Sequence, residues 1–236
     1  MAMEPMPEDW NRSVAVVAHP DDLEYGAAAA VARWTGQGRQ VAYLLATRGE
    51  AGIAGMAPDR AGPLREEEER RGAAAVGVGE VSFLGYADGL LEYGIPLRRD
   101  LTAAFRRLQP QVVITMSFDL TWGDEGPVNH SDHRAIGLAV LDACRDTANE
   151  WVFPEAGAPW PGIRHIYVGA SNRPTHFTDV SATIDAGIAS LRAHRAYLDG
   201  LGGDFDPDKF LRDAARATGS IAGCEYAASF RHYPAG

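Results

Sequence analysis

Val16–Trp34 reads VVAHPDDLEYGAAAAVARW. It opens as the end of a buried strand and closes as an alanine-rich helix. Between the two, His19, Pro20, Asp21, Asp22 and Glu24 crowd into six positions. The apolar run begins further back, so SVAVVA over Ser13–Ala18 predicts a central strand with the charged group at its carboxyl end. Pro20 fixes its own φ and biases His19 toward extended backbone. One carboxylate here is accounted for by capping the following helix, predicted over Leu23–Gly36. Capping leaves the histidine and the second aspartate without a role, and the other reading is a metal site.

The same alternation continues along the chain. Val41–Thr47, Val81–Leu84, Val112–Met116 and His165–Ala170 are short apolar runs that read as strands, and Leu64–Val76, Leu97–Leu108 and Ser131–Thr147 have helical composition. Ile184–Leu198 places apolar residues at 184, 188, 191 and 198, which predicts a further amphipathic helix. Mixed charges in Leu64–Val76 (LREEEERRGAAAV) read as a solvated helix face. This pattern predicts an α/β fold: one domain over residues 1–236, with a mostly parallel Rossmann-like sheet and helices on both faces. Residues 1–12 are expected to be a loosely ordered N-terminal segment. Gly49–Gly62 and Asp119–Asn129 are Gly- and Pro-rich loops directly after strands, where parallel sheets build their sites; Glu155–Gly162 reads as a connecting loop.

Composition narrows the function classes. A hydrophobic fraction of 46% and a charged fraction of 23% are those of a water-soluble globular chain. No stretch approaches a membrane span and the N-terminus lacks an apolar signal region, so a cytoplasmic location is expected. A net charge of -10 without a basic tract argues against nucleic acid or an anionic membrane as partner. Cys144 and Cys224 stand far apart and read as two buried thiols. Gly77-Val78-Gly79 does not open a helix after a strand, and no G-x-S-x-G elbow occurs, which disfavours a dinucleotide site and serine catalysis.

The complement to the first segment is Asn129-His130-Ser131-Asp132-His133. Its two histidines lie three apart at the start of a predicted helix and so share a face. Alone the pair says little. Together with His19, Asp21 and Asp22 it supplies the imidazoles and carboxylates from which open catalytic zinc sites are built.

AHPDD after the first strand, TRGEAG at Thr47–Gly52, LGYADG at Leu84–Gly89 and HSDH resemble the LmbE/PIG-L metal-dependent N-deacetylases. VNHSDHRAIGLAVLDAC, WVFPE and SLRAH are similar to a bacterial subgroup of that family, so the resemblance runs over nearly the whole chain and implies an LmbE-like fold. It implies that His19, Asp22 and His133 bind the metal, zinc or another divalent ion such as Fe2+. It makes Asp21 the general base on the attacking water. His130 would stabilise the oxyanion or protonate the leaving amine, oriented by Asp132. The implied reaction is deacetylation of an N-acetyl amino sugar or its glycoside or conjugate, a small-molecule partner, with a homo-oligomer allowed. Two other readings stay open: an amidase of the same fold acting on a larger thiol or glycopeptide conjugate, and a sugar-binding protein that keeps the metal without turnover. Leu23 stands where many members have a glutamate, with Glu24 one place later, a form that a family sub-pattern shares. Val128 and Asn129 replace a tyrosine and a glycine common in the sugar-thiol enzymes, which bears on the substrate.

Glu50, Arg65 and Asp88 are the candidate substrate-binding residues, each with a plainer alternative. Glu50 would otherwise bind loop backbone, Arg65 would form a surface ion pair with Glu68 or Glu69, and Asp88 would make an Asp-Gly turn. Glu24 reads as a capping or supporting group, and His194 as a satisfied core or interface histidine. His165, His176 and His232 have no nearby partners in sequence. Trp122, Trp160, Tyr86 and Tyr93 read as sugar-stacking walls or packing.

Overall fold

The computed structural model describes residues 3–202 and 205–235. In chain order its elements are β1 (Glu4–Pro5), β2 (Arg12–Val17), α1 (Ala28–Gly36), β3 (Gln40–Leu45), α2 (Pro58–Ala75), β4 (Glu80–Phe83), α3 (Ile95–Leu108) and β5 (Val112–Met116). There follow α4 (Ser131–Asp146), β6 (His165–Gly169), β7 (His176–Asp179), α5 (Ile184–Arg192), α6 (Arg195–Leu201), α7 (Pro207–Ala222) and β8 (Ala227–Pro234). A single 3-10 turn, Pro154–Ala156, interrupts the loop predicted over Glu155–Gly162.

All eight strands join one sheet in the order β1-β7-β8-β6-β5-β2-β3-β4. β2 is central and parallel to both neighbours: Ser13 pairs with Val41 of β3 and with Val112 of β5. From β2 the chain first builds outward through β3 and β4, then crosses over to build the other side through β5 and β6. The crevice at the carboxyl ends of β2 and β5 is therefore the topological switch point, the usual ligand position in an open parallel sheet. Among the described residues only β8 runs against its neighbours β6 and β7, so the mostly parallel sheet expected from the sequence is the one observed.

Pleating sends alternate side chains to two cores. Val14, Val16 and Leu44 pack under α3 and α4 with Leu101, Phe105 and Val140. Ala15, Val17, Tyr43 and Ile114 face the opposite way, under α1 and α5 with Trp34, Ile188 and Leu191. Burial on both faces is why β2, β3 and β5 read as continuous apolar runs.

Several elements differ from the sequence reading. The first helix starts at Ala28, because residues 20–27 form consecutive turns, with φ at +90° on Asp21. α2 begins at Pro58, and the mixed charges of Leu64–Val76 are not all solvated: Arg65, Glu68 and Glu69 are buried. The helix predicted over Ile184–Leu198 breaks at His194, whose ψ of 54° leaves the helical region. The N-terminal segment, expected to be loose, is tied down over its described part. Glu4–Pro5 pairs with β7, and Trp10 is buried edge-on against Trp34 at 5.4 Å between ring centres. Cys144 is buried, whereas Cys224 is half-buried.

Candidate metal centre

Both halves of the candidate site hang from neighbouring strands. The segment after β2 carries His19, Asp21 and Asp22, and the loop after β5 leads into α4 with His130, Asp132 and His133. Their strands are hydrogen-bonded, so residues more than a hundred positions apart arrive side by side. His19 Nδ1 lies 3.2 Å from His133 Nε2. His133 Nε2 lies 3.0 Å from Asp22 Oδ1, and His19 Nδ1 lies 3.6 Å from Asp22 Oδ2. Two imidazole nitrogens and a carboxylate thus converge on one point, which is the chemistry of a three-residue divalent-metal site.

The remaining ring nitrogens orient these ligands. His133 Nδ1 donates to Asn129 Oδ1 at 2.8 Å. The amide of Asn129 is itself pinned, its Nδ2 donating to the carbonyls of Ser117 and Asp119. That leaves the Nε2 lone pair of His133 facing the site. His19 Nε2 is 3.1 Å from Asp88 Oδ1 and 3.3 Å from Asp132 Oδ2, so it carries the proton and presents Nδ1. Asp22 Oδ2 accepts the His19 amide at 2.8 Å, which ties the two ligands of the turn together.

Asp132 is fully buried and also accepts the amides of Gly89 and Leu91. Its carboxylate therefore holds His19, not His130 as the resemblance implies; the nearest approach to His130 Nδ1 is 3.8 Å. The Asp132 backbone amide instead donates to His130 Nδ1, which caps α4. With Nδ1 accepting, the proton of a neutral His130 ring sits on Nε2, at the exposed edge of the site. Burial and the neighbouring His19 both lower the pKa of His130, which favours that neutral donor form.

Asp21 occupies the wall beside the ligands. Burial pushes its carboxyl up and the Arg65 guanidinium, at 3.1 Å, pulls it down, leaving it at about 6. Arg65 also donates to the carbonyls of Gly49 and Pro20 and stacks over the Tyr197 ring at 4.5 Å. Its alternative as a surface ion pair with Glu68 or Glu69 does not occur; the partner is the buried Asp21.

Asp88 accepts the Ala51 amide at 2.7 Å with one oxygen and His19 with the other, so it braces a ligand while lining the cleft. Glu50 accepts the amides of Asp88 and Arg48 and stays out of the cleft, which matches its plainer alternative as a loop brace. The cleft has a volume of about 330 Å3, at the small-molecule end of ligand pockets. Tyr197 and Leu201 of α6 complete its wall. Neither was marked in the sequence, because α6 reaches the cleft through tertiary packing and carries no local motif. Trp122, from the loop after β5, stands edge-on to the His133 ring at 5.8 Å. The three unassigned histidines also find partners, away from the centre: His165 Nδ1 meets His232 Nε2 at 3.0 Å, and the His176 and His232 rings are 4.9 Å apart.

Known proteins resemble this chain over most of its length. Diacetylchitobiose deacetylase of Thermococcus kodakarensis is 26% identical over 96% of this chain and 84% of its own. The 1D-myo-inositol 2-acetamido-2-deoxy-alpha-D-glucopyranoside deacetylase of Streptomyces avermitilis is 29% identical over 73% of this chain and 65% of its own, so the match spans just under two thirds of that relative. Among solved structures, N,N'-diacetylchitobiose deacetylase of Pyrococcus horikoshii superposes with a TM-score of 0.85, covering 97% of this chain and 85% of that one at 23% identity, which shows the shared fold. The family model described as PIG-L, GlcNAc-PI de-N-acetylase, matches residues 14–144, a span that runs from β2 into α4 and takes in both halves of the centre, and the chain belongs to that family.

Proposed function

We propose that this chain is a zinc-dependent deacetylase that hydrolyses the amide of an N-acetyl amino sugar, free or within a glycoside or conjugate. The observation that carries this reading is the convergence of His19 Nδ1, Asp22 and His133 Nε2 beside Asp21 and His130 in one cleft. The relatives' names, which specify acetamido sugars, support the substrate class. The donor set suits zinc and also accommodates Fe2+.

His19, Asp22 and His133 would hold a divalent ion, which would supply a Lewis acid for the amide carbonyl and lower the pKa of the attacking water. Asp21 takes the proton from the attacking water. With its carboxyl at about 6 it is ionised at pH 7 yet still a competent base. His130 directs Nε2–H at the oxygen that gains charge, and the proton held by Asp21 passes to the leaving amine. Water and amide give acetate and free amine. Asp88 and Asp132 keep His19 in the tautomer that exposes Nδ1, and Arg65 keeps the Asp21 carboxylate in the wall of the cleft.

The test is to load the chain with zinc and measure free amine and acetate from N,N'-diacetylchitobiose, N-acetylglucosaminyl-inositol and simple N-acetylglucosaminides. Equimolar amine and acetate from at least one is the expected result. A fully metallated chain that binds these sugars but releases amine from none would overturn the reading in favour of a binding protein.

A further inference from the structure

Behind the catalytic wall, away from the cleft, lies a second group of buried polar side chains that the proposed reaction does not use. Glu24, Glu69 and His194 are each 2% exposed or less. His194 Nε2 is 3.8 Å from Glu69 Oε2 and 3.9 Å from Glu24 Oε1, and neither ring nitrogen has a hydrogen-bond partner among the described residues. Glu24 is held by Ser190 Oγ at 2.8 Å, and the same hydroxyl lies 2.9 Å from the Gly72 carbonyl. Gly72 makes room for the group: a Cβ there would stand 3.0 Å from His194 Nε2 and 3.1 Å from the Ser190 carbonyl. The cluster meets the catalytic wall at Asp21, whose amide donates to Glu69 Oε2 at 3.2 Å and whose carbonyl accepts the Glu24 amide at 3.0 Å.

That point is where the backbone is strained. Asp21 has φ +90°, a conformation L residues other than glycine avoid, at a typical cost of about 1–3 kcal/mol. Such a conformation persists only where its surroundings hold it. Arg65 and Glu69 lie four apart on α2 and so project from the same face. Arg65 takes the carboxylate of Asp21 and Glu69 takes its amide, so one helix grips the residue at both ends. His194, at the break between α5 and α6, backs Glu69 from the far side.

We propose that Glu69, backed by His194 and Glu24, is a positioning residue for Asp21: its carboxyl oxygen holds the Asp21 amide and thereby the strained turn that aims the Asp21 side chain at the cleft. This rests on the reading of Asp21 as the base. Burial first, and the charge of Glu24 second, push the Glu69 carboxyl well above the usual range. The role needs only an acceptor oxygen, which a neutral amide also provides.

Glu69→Gln and Glu69→Met have nearly the same volume and differ in that acceptor. In the zinc-loaded chain, Glu69→Met is expected to lower kcat roughly 10- to 100-fold, the scale of a small misplacement of a reacting group. KM and metal content should stay near wild type, and Glu69→Gln should keep most of kcat. Equal kcat in the two variants would overturn the proposal, as would loss of metal from Glu69→Met, which would make the cluster a metal-holding element. Should Glu69→Met fail to fold, the wild-type Asp21 amide decides by hydrogen exchange. Protection supports the bond and rapid exchange overturns it. A wild-type chain without deacetylase activity would sink the proposed function, and the exchange of the Asp21 amide would still test the grip on that residue.

Discussion

Asp21 and Asp22 are adjacent in sequence and, in the proposed reaction, opposite in task, and the difference lies in what each touches. Asp22 faces His19 and His133, and its interactions with the two rings hold its carboxyl well below the usual range against the opposing pull of burial. Asp21 faces Arg65 and the protein interior, and stays at about 6. Asp21→Asn should therefore keep its metal and lose kcat by roughly 10²–10⁴, the usual contribution of a general base. His133→Ala should lose metal and activity together. Elemental analysis beside initial rates checks both, and unchanged turnover in Asp21→Asn would remove that residue from the reaction. A second carboxylate shows pH linkage without catalysis. Burial raises the Glu8 carboxyl, but hydrogen bonds from Arg33, Gln37 and Trp34 outweigh it and hold it below its ordinary value of 4.5. A depressed folded pKa stabilises the chain above the unfolded value, and that stability is lost as pH falls through the folded one. Glu8→Gln is expected to cost about 1 kcal/mol or less at pH 7, given solvent screening at this half-buried site, and less at acid pH, below the ordinary glutamate value. Denaturant melts at pH 7 and at acid pH measure the difference.

At the scale of elements, the stretches that could be read in sequence are those whose signal is local. β2, β3 and β5 appear as apolar runs because both sheet faces are covered; the first half of the candidate centre follows directly on β2, and the second opens α4. α7 carries local signals too: Asp206 accepts the amides of Asp208 and Lys209, Pro207 follows, and Gly223 closes the helix with φ +82°. The charges of α2 could not be sorted from spacing, since Arg65, Glu68 and Glu69 share helical periodicity with the exposed Glu67 and Arg70. Which of them faces inward depends on α5 and α6, far along the chain. Tyr197 entered the cleft by the same route. The fit of α5 against α1 is tight at Gly187, where a Cβ would lie 2.8–3.0 Å from Ala29 Cβ, N and Cα. Gly187→Ala should destabilise the chain by about 1–3 kcal/mol by forcing these helices apart. Because α1 follows directly on the Asp21 turn, kcat should fall as well. A melt and a rate on the same sample show whether the two move together.

At the scale of the molecule, the acidic side chains at the switch point make the centre dependent on its counter-charge. Asp22, Asp88 and Asp132 all lie within contact of His19. Chelation should leave these carboxylates facing one another and lower Tm. Zinc at about 100 times Kd should restore about 2.7 kcal/mol, or roughly 5–10 °C for a chain of this size. A Tm indifferent to chelator and to added zinc would argue against the ligand set. The strand order carries a further consequence. His19 and His133 meet only because β5 returns to lie beside β2 after β3 and β4 have been laid on its other edge. Contacts this distant in sequence form late and slowly when a chain collapses, since the intervening segment must first be closed into a loop. During synthesis the first half of the site leaves the ribosome long before the second, and for that interval His19 and Asp22 lack His133 and Asp132. With an ion held as proposed, its acquisition would be a clock for the long-range step of folding: a nascent chain released before α4 emerges should hold the metal no better than an unfolded peptide.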